Sequence, residues 1–136
     1  MSQSESAFVT SPSEPSGVSV TTVESQAEVQ SLLDALGDAD CRAILEATSE
    51  EALTAAEVSE TVDLPKSTTY RKLETLSELD LLEEGTRIRR SGKHATEFSR
   101  RLEDIYLTTT GSGGIELRVS RQRTAGQFGF SLPGAN

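Results

Sequence analysis

The sequence predicts an α+β fold that is mainly helical, in which the helices come first and antiparallel hairpins follow. Two patterns support this prediction: apolar residues recur at helical spacing between positions 29 and 76, and they alternate beyond Leu79. The chain has 136 residues, of which 35% are hydrophobic. We therefore expect one domain with a modest core, flanked by tails.

Four helices are predicted before residue 79. The first two carry the apolar stripes Val29, Leu32, Leu33 and Leu36, and Cys41, Ile44, Leu45 and Thr48. A third begins after Thr54, because Thr54 and Glu57 have the spacing of a capping box, and it runs to about Val62. Pro65 then starts a fourth helix over residues 65–78, whose inward stripe is Thr69, Leu73 and Leu76.

Two hairpins are predicted after the helices. The first joins strands at residues 82–90 and 95–98 through a turn at residues 91–93. The second turns at residues 111–114 and has an apolar face made of Ile105, Leu107, Ile115, Leu117 and Val119. A two-stranded hairpin is marginal alone, so this face needs a cover, either the first helix or the same surfaces of a second copy. We favour the dimer, held by the first helix and the terminal hairpin.

Both ends of the sequence are expected to be disordered. Residues 1–22 are rich in Ser, Pro and Glu and lack a sustained period, so they bury too little apolar surface to offset the entropy cost of ordering. Residues 122–136 are expected to form a flexible tail. The domain is therefore predicted to span residues 23–121.

The formal charge of the chain is −9, and it is unevenly distributed. Residues 1–65 hold 13 Asp and Glu and one basic residue, Arg42, so they carry −12. Residues 66–136 hold 12 Lys and Arg against 9 Asp and Glu, so they carry +3. The positive charge is concentrated in the second half, where we expect the functional surface.

Several classes of function and location are disfavoured by the sequence. One Cys and one His leave no disulfide framework and no His/Cys metal cluster, and Cys41 falls on an inward helical stripe, as a small core residue does. We find no phosphate loop, nucleophile elbow or metal-ligand spacing, so we expect neither an enzyme nor a cofactor. No apolar run approaches the roughly 20 residues of a membrane span, and no secretory signal is seen, so a cytoplasmic protein is expected.

The order of short helix, turn, basic helix and basic hairpin is that of a winged helix-turn-helix. In such a fold the exposed N-terminal half of the basic helix enters the major groove, where hydroxyl residues permit close approach and Arg or Lys bind guanine edges and phosphates. The predicted DNA-binding residues of this helix are Lys66, Ser67, Thr68, Tyr70, Arg71 and Lys72. Those of the wing, residues 87–94, suit backbone or minor-groove contact and are Arg87, Arg89, Arg90, Lys93 and His94.

Three stretches of the sequence resemble haloarchaeal winged helix-turn-helix regulators of the broad ArsR/TrmB-like group. These are residues 53–58, 64–73 and 87–94, and residues 40–45 match the Asp-x-Arg-x-Ile-Leu pattern common before that motif. The resemblance covers about residues 27–105 and implies a winged fold and DNA binding in a halophilic archaeon. Members commonly have Val where Thr69 stands. The paired-cysteine helix of metal-sensing members is absent, so metal sensing is not implied.

Two other functions stay open at the level of the sequence. A winged helix can dock to the transcription machinery through its acidic half, and it can also bind RNA. Salt dependence separates protein docking from DNA binding, because phosphate neutralisation makes affinity fall steeply with salt. A preference for duplex DNA over structured RNA distinguishes DNA binding from RNA binding. The sequence favours a homodimeric, sequence-specific regulator that binds double-stranded DNA.

Overall fold

The computed structural model describes residues 17–122, which form four α-helices and six β-strands. In chain order the elements are β1 (Val18–Val23), α1 (Gln26–Gly37), α2 (Ala39–Ala47), β2 (Leu53–Thr54), α3 (Ala55–Val62), α4 (Lys66–Glu78), β3 (Leu82–Ile88), β4 (His94–Arg100), β5 (Leu102–Thr109) and β6 (Ile115–Gln122). The strands form two three-stranded antiparallel sheets that share one core with the helices. This is the α+β winged helix-turn-helix architecture that the sequence predicts.

Caps fix where the helices begin. The side chains of Ser25 and Asp38 accept hydrogen bonds from backbone N–H groups in the first turns of α1 and α2. Thr54 and Glu57 form the predicted capping box of α3. The backbone nitrogen of Glu57 lies 3.3 Å from Thr54 Oγ1, and the backbone nitrogen of Thr54 lies 2.9 Å from Glu57 Oε1. Pro65 is the N-cap of α4, one residue before the helix proper. The predicted starts of α3 and α4 are therefore confirmed to within one residue.

The core contains the inward stripe of α4. Leu73 and Leu76 are almost fully buried, and burial of each such side chain contributes roughly 1.5–3 kcal/mol relative to exposure. Thr69 is also fully buried, and its hydroxyl donates to the carbonyl of Pro65 at 3.0 Å. The hydroxyl therefore has a hydrogen-bond partner at a buried position, where an unpaired hydroxyl would destabilise the fold.

The wing is a sheet with the strand order β2–β4–β3. β3 and β4 form the predicted hairpin, with Leu82 opposite Arg100 and Ile88 opposite His94. β2 was not predicted, because two residues give no strand period. It pairs Leu53 with Phe98 and so attaches the wing to the start of α3.

The terminal sheet has the strand order β1–β6–β5. It contains the predicted second hairpin, β5 and β6, together with β1, which lies at the other edge of β6. The prediction of a disordered tail is therefore wrong for residues 18–22. The Val and Thr residues of β1 gain their partner about 100 residues later, where Val18 lies opposite Gln122. Gln122, the first residue of the predicted C-terminal tail, is instead the last residue of β6, and residues 1–16 and 123–136 of the predicted tails lie outside the described residues.

The apolar face of the terminal sheet is covered within the chain. Leu117 and Val119 on β6 are fully buried in one cluster with Val29 and Leu32 of α1. The side chain of Gln26 adds a hydrogen bond from α1 to the carbonyl of Ile115 at 3.0 Å. The favoured dimer through this face is corrected accordingly, because a second copy could reach Leu117 only by displacing α1.

Candidate nucleic-acid interface

The turn between α3 and α4 sets the direction of the basic helix. α3 ends at Val62, and its C-cap Asp63 adopts a left-handed conformation (φ 59°) that Asp tolerates better than most residues. The hydroxyl of Ser59 donates to the carbonyl of Leu64 at 2.6 Å, and the N–H of Leu64 bonds to the carbonyl of Ser59. Pro65 then cannot continue α3 and leads directly into α4.

The N-terminal half of α4 presents a polar surface to solvent. Its inner side is held by the buried Thr69 and Leu73, so the residues at the other helical positions point outward. Tyr70 is 59% exposed, although it is a large aromatic residue. We call this set the reading surface, and its members are Lys66, Ser67, Thr68, Tyr70 and Arg71. Thr68 is half-buried, and the other four are exposed.

Lys72 does not belong to the reading surface. Its ammonium group lies 2.5 Å from Asp38, the N-cap of α2, and both side chains are half-buried. Hydrogen bonds from Lys72 and then Cys41 hold the pKa of Asp38 below its usual value, and Asp38 raises the pKa of Lys72. Lys72 was predicted to contact DNA, but it ties α4 to α2. Asp38 was not among the predicted site residues, although an Asp directly before a helical apolar pattern is a usual N-cap signal.

Cys41 lies beside this ion pair and is buried, as predicted from its helical stripe. Burial, followed by the nearby Asp38 carboxylate, raises the pKa of the Cys41 thiol to about 11. The thiolate that redox chemistry requires is therefore disfavoured near neutral pH.

The tip of the wing carries a group of exposed basic residues. Its turn is closed by hydrogen bonds from the N–H of Arg89 to the carbonyl of Lys93 and from the N–H of Gly92 to the carbonyl of Arg89, both 2.9 Å. Gly92 has φ 85°, a conformation that favours glycine. We call the exposed set the wing tip, and its members are Arg89, Arg90, Lys93 and His94.

Arg87 was predicted as a wing contact to DNA, but the fold uses it internally. Its guanidinium group donates to both carboxylate oxygens of Glu57, to Glu97 and to the carbonyl of Ala52, at 2.9–3.0 Å. The hydrogen bond from Arg87, followed by the N–H of Thr54, lowers the pKa of Glu57 to about 2. Glu57 and then Glu97 raise the pKa of Arg87. One carboxylate thus caps α3 and also anchors the wing.

Arg121 is a positioning residue that sequence reasoning missed. It lies on β6, is buried, and donates to the carbonyls of Asp80 and Leu79 at 2.9 and 3.0 Å. These carbonyls follow the last turn of α4, which leaves such groups without helical partners. Desolvation is the largest effect on Arg121 and lowers its pKa. No local pattern marks a strand Arg as a helix cap, so the sequence held no signal for this contact.

Within residues 17–122, the cations of the reading surface and the wing tip have no hydrogen bond or ion pair from their side chains. These cations are Lys66, Arg71, Arg89, Arg90 and Lys93. Such groups are available to an anionic ligand. Of the eleven predicted site residues, nine remain in the two sets, and Lys72 and Arg87 are engaged elsewhere.

The described part of the chain contains neither a metal-binding cluster nor a membrane-spanning helix. Residues 17–122 contain no group of three or more His, Cys, Asp and Glu that could hold a metal ion. None of the four helices described there is long and apolar enough to cross a bilayer.

The chain is similar to one protein family and to solved structures. A family model described as a helix-turn-helix domain matches residues 36–85, which is less than half of the chain. NolR from Sinorhizobium fredii is similar in structure over 54% of this chain and 69% of its own, with 19% identity and a TM-score of 0.45. A possible transcriptional regulator from Methanosarcina mazei Go1 is similar over 53% of this chain and 63% of its own, with 17% identity and a TM-score of 0.43.

No curated protein matches the chain. The segment matched by the family model runs from the end of α1 into β3 and contains α2, α3 and α4. The helix-turn-helix likeness therefore lies on the elements that hold the reading surface in place.

Proposed function

We propose that this chain is a sequence-specific transcriptional regulator that binds double-stranded DNA as a cytoplasmic homodimer. The reading surface enters the major groove, where Arg71 binds a guanine edge and the hydroxyl groups and Lys66 contact phosphates. The wing tip contacts the sugar-phosphate backbone or the minor groove. The resemblance of residues 53–58 and 64–73 to haloarchaeal regulators of the ArsR/TrmB-like group supports the same function.

One observation carries this proposal. In a chain of net charge −9, the cations at the start of α4 and at the wing turn are exposed and lack partners among the described residues. The other two cations of the same stretches, Lys72 and Arg87, are paired within the fold. A surface for phosphates and base edges needs exposed cations that are not already paired within the fold, and the reading surface and the wing tip provide them.

The proposal is tested by selecting duplexes from a random library with the tagged full chain. The affinity for the selected duplex is then measured against a scrambled duplex and a structured RNA, between about 0.05 and 0.2 M salt. We expect enrichment of one sequence and a linear fall of log affinity with log salt. Four phosphate contacts per protomer, from Lys66, Arg89, Arg90 and Lys93, give a slope of roughly −3.6 for each half-site.

Other outcomes would point elsewhere. Equal affinity for all duplexes would remove sequence specificity. Tighter binding to the structured RNA would favour RNA as the ligand. If the chain bound no duplex at the lowest salt, the proposal would be overturned, and a protein partner would be favoured instead.

A further inference from the structure

The strand β5 (Leu102–Thr109) is an edge of the terminal sheet. It pairs with β6 on one side, and within residues 17–122 no strand pairs with its other side. The N–H of Leu102 at its start donates to the carbonyl of Leu81, so the open part of the edge begins after it. Residues 105–109 of this open part have no charged side chain. Proteins usually protect such edges with charge, proline or a covering segment, so the uncharged stretch that follows Glu103 and Asp104 suits a partner strand.

The turn of the hairpin indicates which backbone groups of β5 face outward. The N–H of Thr110 bonds to the carbonyl of Gly114, so the backbone of Thr110 faces β6. Backbone direction alternates along a strand. The N–H and C=O groups of Ile105, Leu107 and Thr109 therefore face the open edge.

The side chains of β5 add an apolar surface to this edge. Five large hydrophobic residues in the described part of the chain are exposed, and two of them, Tyr106 and Leu107, are neighbours on β5 at 61% and 53% exposure. Leu107 lies opposite the buried Leu117, on the face that α1 covers, but beyond the reach of that cover. The opposite edge strand, β1, exposes only Val20 among its large apolar residues, at 38%.

The β5 sequence is self-complementary in one antiparallel register. With Tyr106 on a two-fold axis, Ile105 of each copy lies opposite the partner's Leu107, and both have outward backbone groups that can form a hydrogen-bonded pair. Each Leu107 is then covered by an isoleucine. Asp104 lies opposite the partner's Thr108, so no like charges meet.

The neighbouring registers fit less well. A shift that places Ile105 on the axis sets Leu107 opposite the partner's Glu103. A shift that places Leu107 on the axis sets Ile105 opposite the partner's Thr109 and shortens the paired segment. Only the register centred on Tyr106 places both apolar residues of the inner face, Ile105 and Leu107, opposite an apolar partner. It also pairs the longest segment that the open edge allows.

We propose that two copies of this chain pair through their β5 edges, with Tyr106 on the two-fold axis, to form one continuous six-stranded antiparallel sheet. This inference deepens the proposed function, because it assigns the contact of the proposed homodimer. It also leaves α4 and the wing outside the contact, since no residue of either set lies on β5.

Cysteine cross-linking tests the pairing and its register on the full chain without DNA. Tyr106 is a non-hydrogen-bonded pair in this register, with Cα atoms about 4.5 Å apart, within the range that a disulfide spans. The two Leu107 residues are diagonal neighbours about 7–8 Å apart, which is too far. We expect Tyr106→Cys to form a covalent dimer under mild oxidation and Leu107→Cys to form little. The unaltered chain, whose only thiol is the buried Cys41, is the background control.

A second pair of variants tests the same register by changing the charge at residue 108. Thr108→Asp places two carboxylates opposite each other at both ends of the contact, whereas Thr108→Lys places a cation opposite each Asp104. Light scattering at about 0.1 M salt, where surface charges still interact over about 10 Å, should show a weaker dimer for the first variant and a tighter dimer for the second. Both variants change the exposed Thr108, so neither should unfold the monomer.

The outcomes separate this inference from the proposed function. A folded Tyr106→Cys chain that stays uncross-linked, stronger cross-linking through Leu107→Cys, cross-linking only through Val20→Cys on β1, or a chain that is monomeric by light scattering would each overturn the β5 contact. A chain that cross-links as expected but ignores every duplex would keep this contact and refute DNA binding.

Discussion

Arg71 and Lys72 are adjacent in α4, and the fold gives them different surroundings. Arg71 is exposed and has no side-chain partner among residues 17–122, whereas Lys72 is held by Asp38. Successive helical residues are about 100° apart, so one neighbour can face the groove while the other faces α2. The sequence supplies the cations, but only tertiary packing decides which of them is free.

At the same scale, Glu57 should make the stability of the protein depend on pH. Its folded-state pKa is about 2 and its ordinary value is 4.5, so its contribution is complete above about pH 4.5 and declines as the pH falls towards 2. Glu57→Gln keeps an acceptor for the capping box and removes the titrating group. We expect the melting temperature of the natural chain to fall more steeply than that of the variant across this window. Parallel curves in thermal melts from pH 7 to 2 would contradict the role given to the Arg87 contact.

At the scale of elements, α4 is held near its middle and at its C-terminal end by residues from other parts of the chain. Asp38 binds Lys72 from α2, and Arg121 binds the carbonyls that follow the last turn from β6. The wing is fixed to α3 in a similar way, through Arg87 and Glu57. These contacts attach α4 and the wing to the rest of the fold, and they use cations that lie outside the reading surface and the wing tip.

Arg121→Met tests the support of α4. The variant keeps an apolar stem of similar length but removes two charge-assisted hydrogen bonds in a buried place. We expect the free energy of unfolding to fall by about 2 kcal/mol in urea titrations. Arg118→Met on the same strand is the matched control, because Arg118 is exposed, and it should change stability by no more than about 0.5 kcal/mol. A decrease of similar size in both variants would show that the cap is not the cause.

The wing tip should act on DNA differently from α4. Replacing Arg89 and Arg90 with Ala should weaken selected and scrambled duplexes alike, and it should flatten the salt slope by about one unit for each phosphate that the wing no longer neutralises. The slope is measured from affinities across a salt series, with Arg118→Ala as an exposed control away from the wing. An unchanged slope with the wing variants would remove the hairpin from the DNA surface.

At the scale of the whole molecule, local signals in the sequence predicted most of the helix-turn-helix and less of the sheets. The capping box at Thr54 and the break at Pro65 depend on neighbouring residues, and the structure confirms both. β1 and the cap by Arg121 depend on partners about 40 to 100 residues away, which no local pattern encodes. The same limit explains Arg87, whose basic neighbours indicated the wing tip but whose partners lie on α3 and β4.

The central claim is that the exposed start of α4 reads DNA sequence, and Arg71→Ala tests it most directly. The measurement is the ratio of affinities for the selected and the scrambled duplex, with Lys72→Met as the adjacent cation that the fold already engages. We predict that Arg71→Ala lowers this ratio by roughly 5- to 150-fold, the equivalent of about 1–3 kcal/mol for a bidentate arginine–guanine pair, and that Lys72→Met leaves it unchanged. An equal fall in affinity for both duplexes with Arg71→Ala, or the same fall in the ratio with Lys72→Met, would contradict the account.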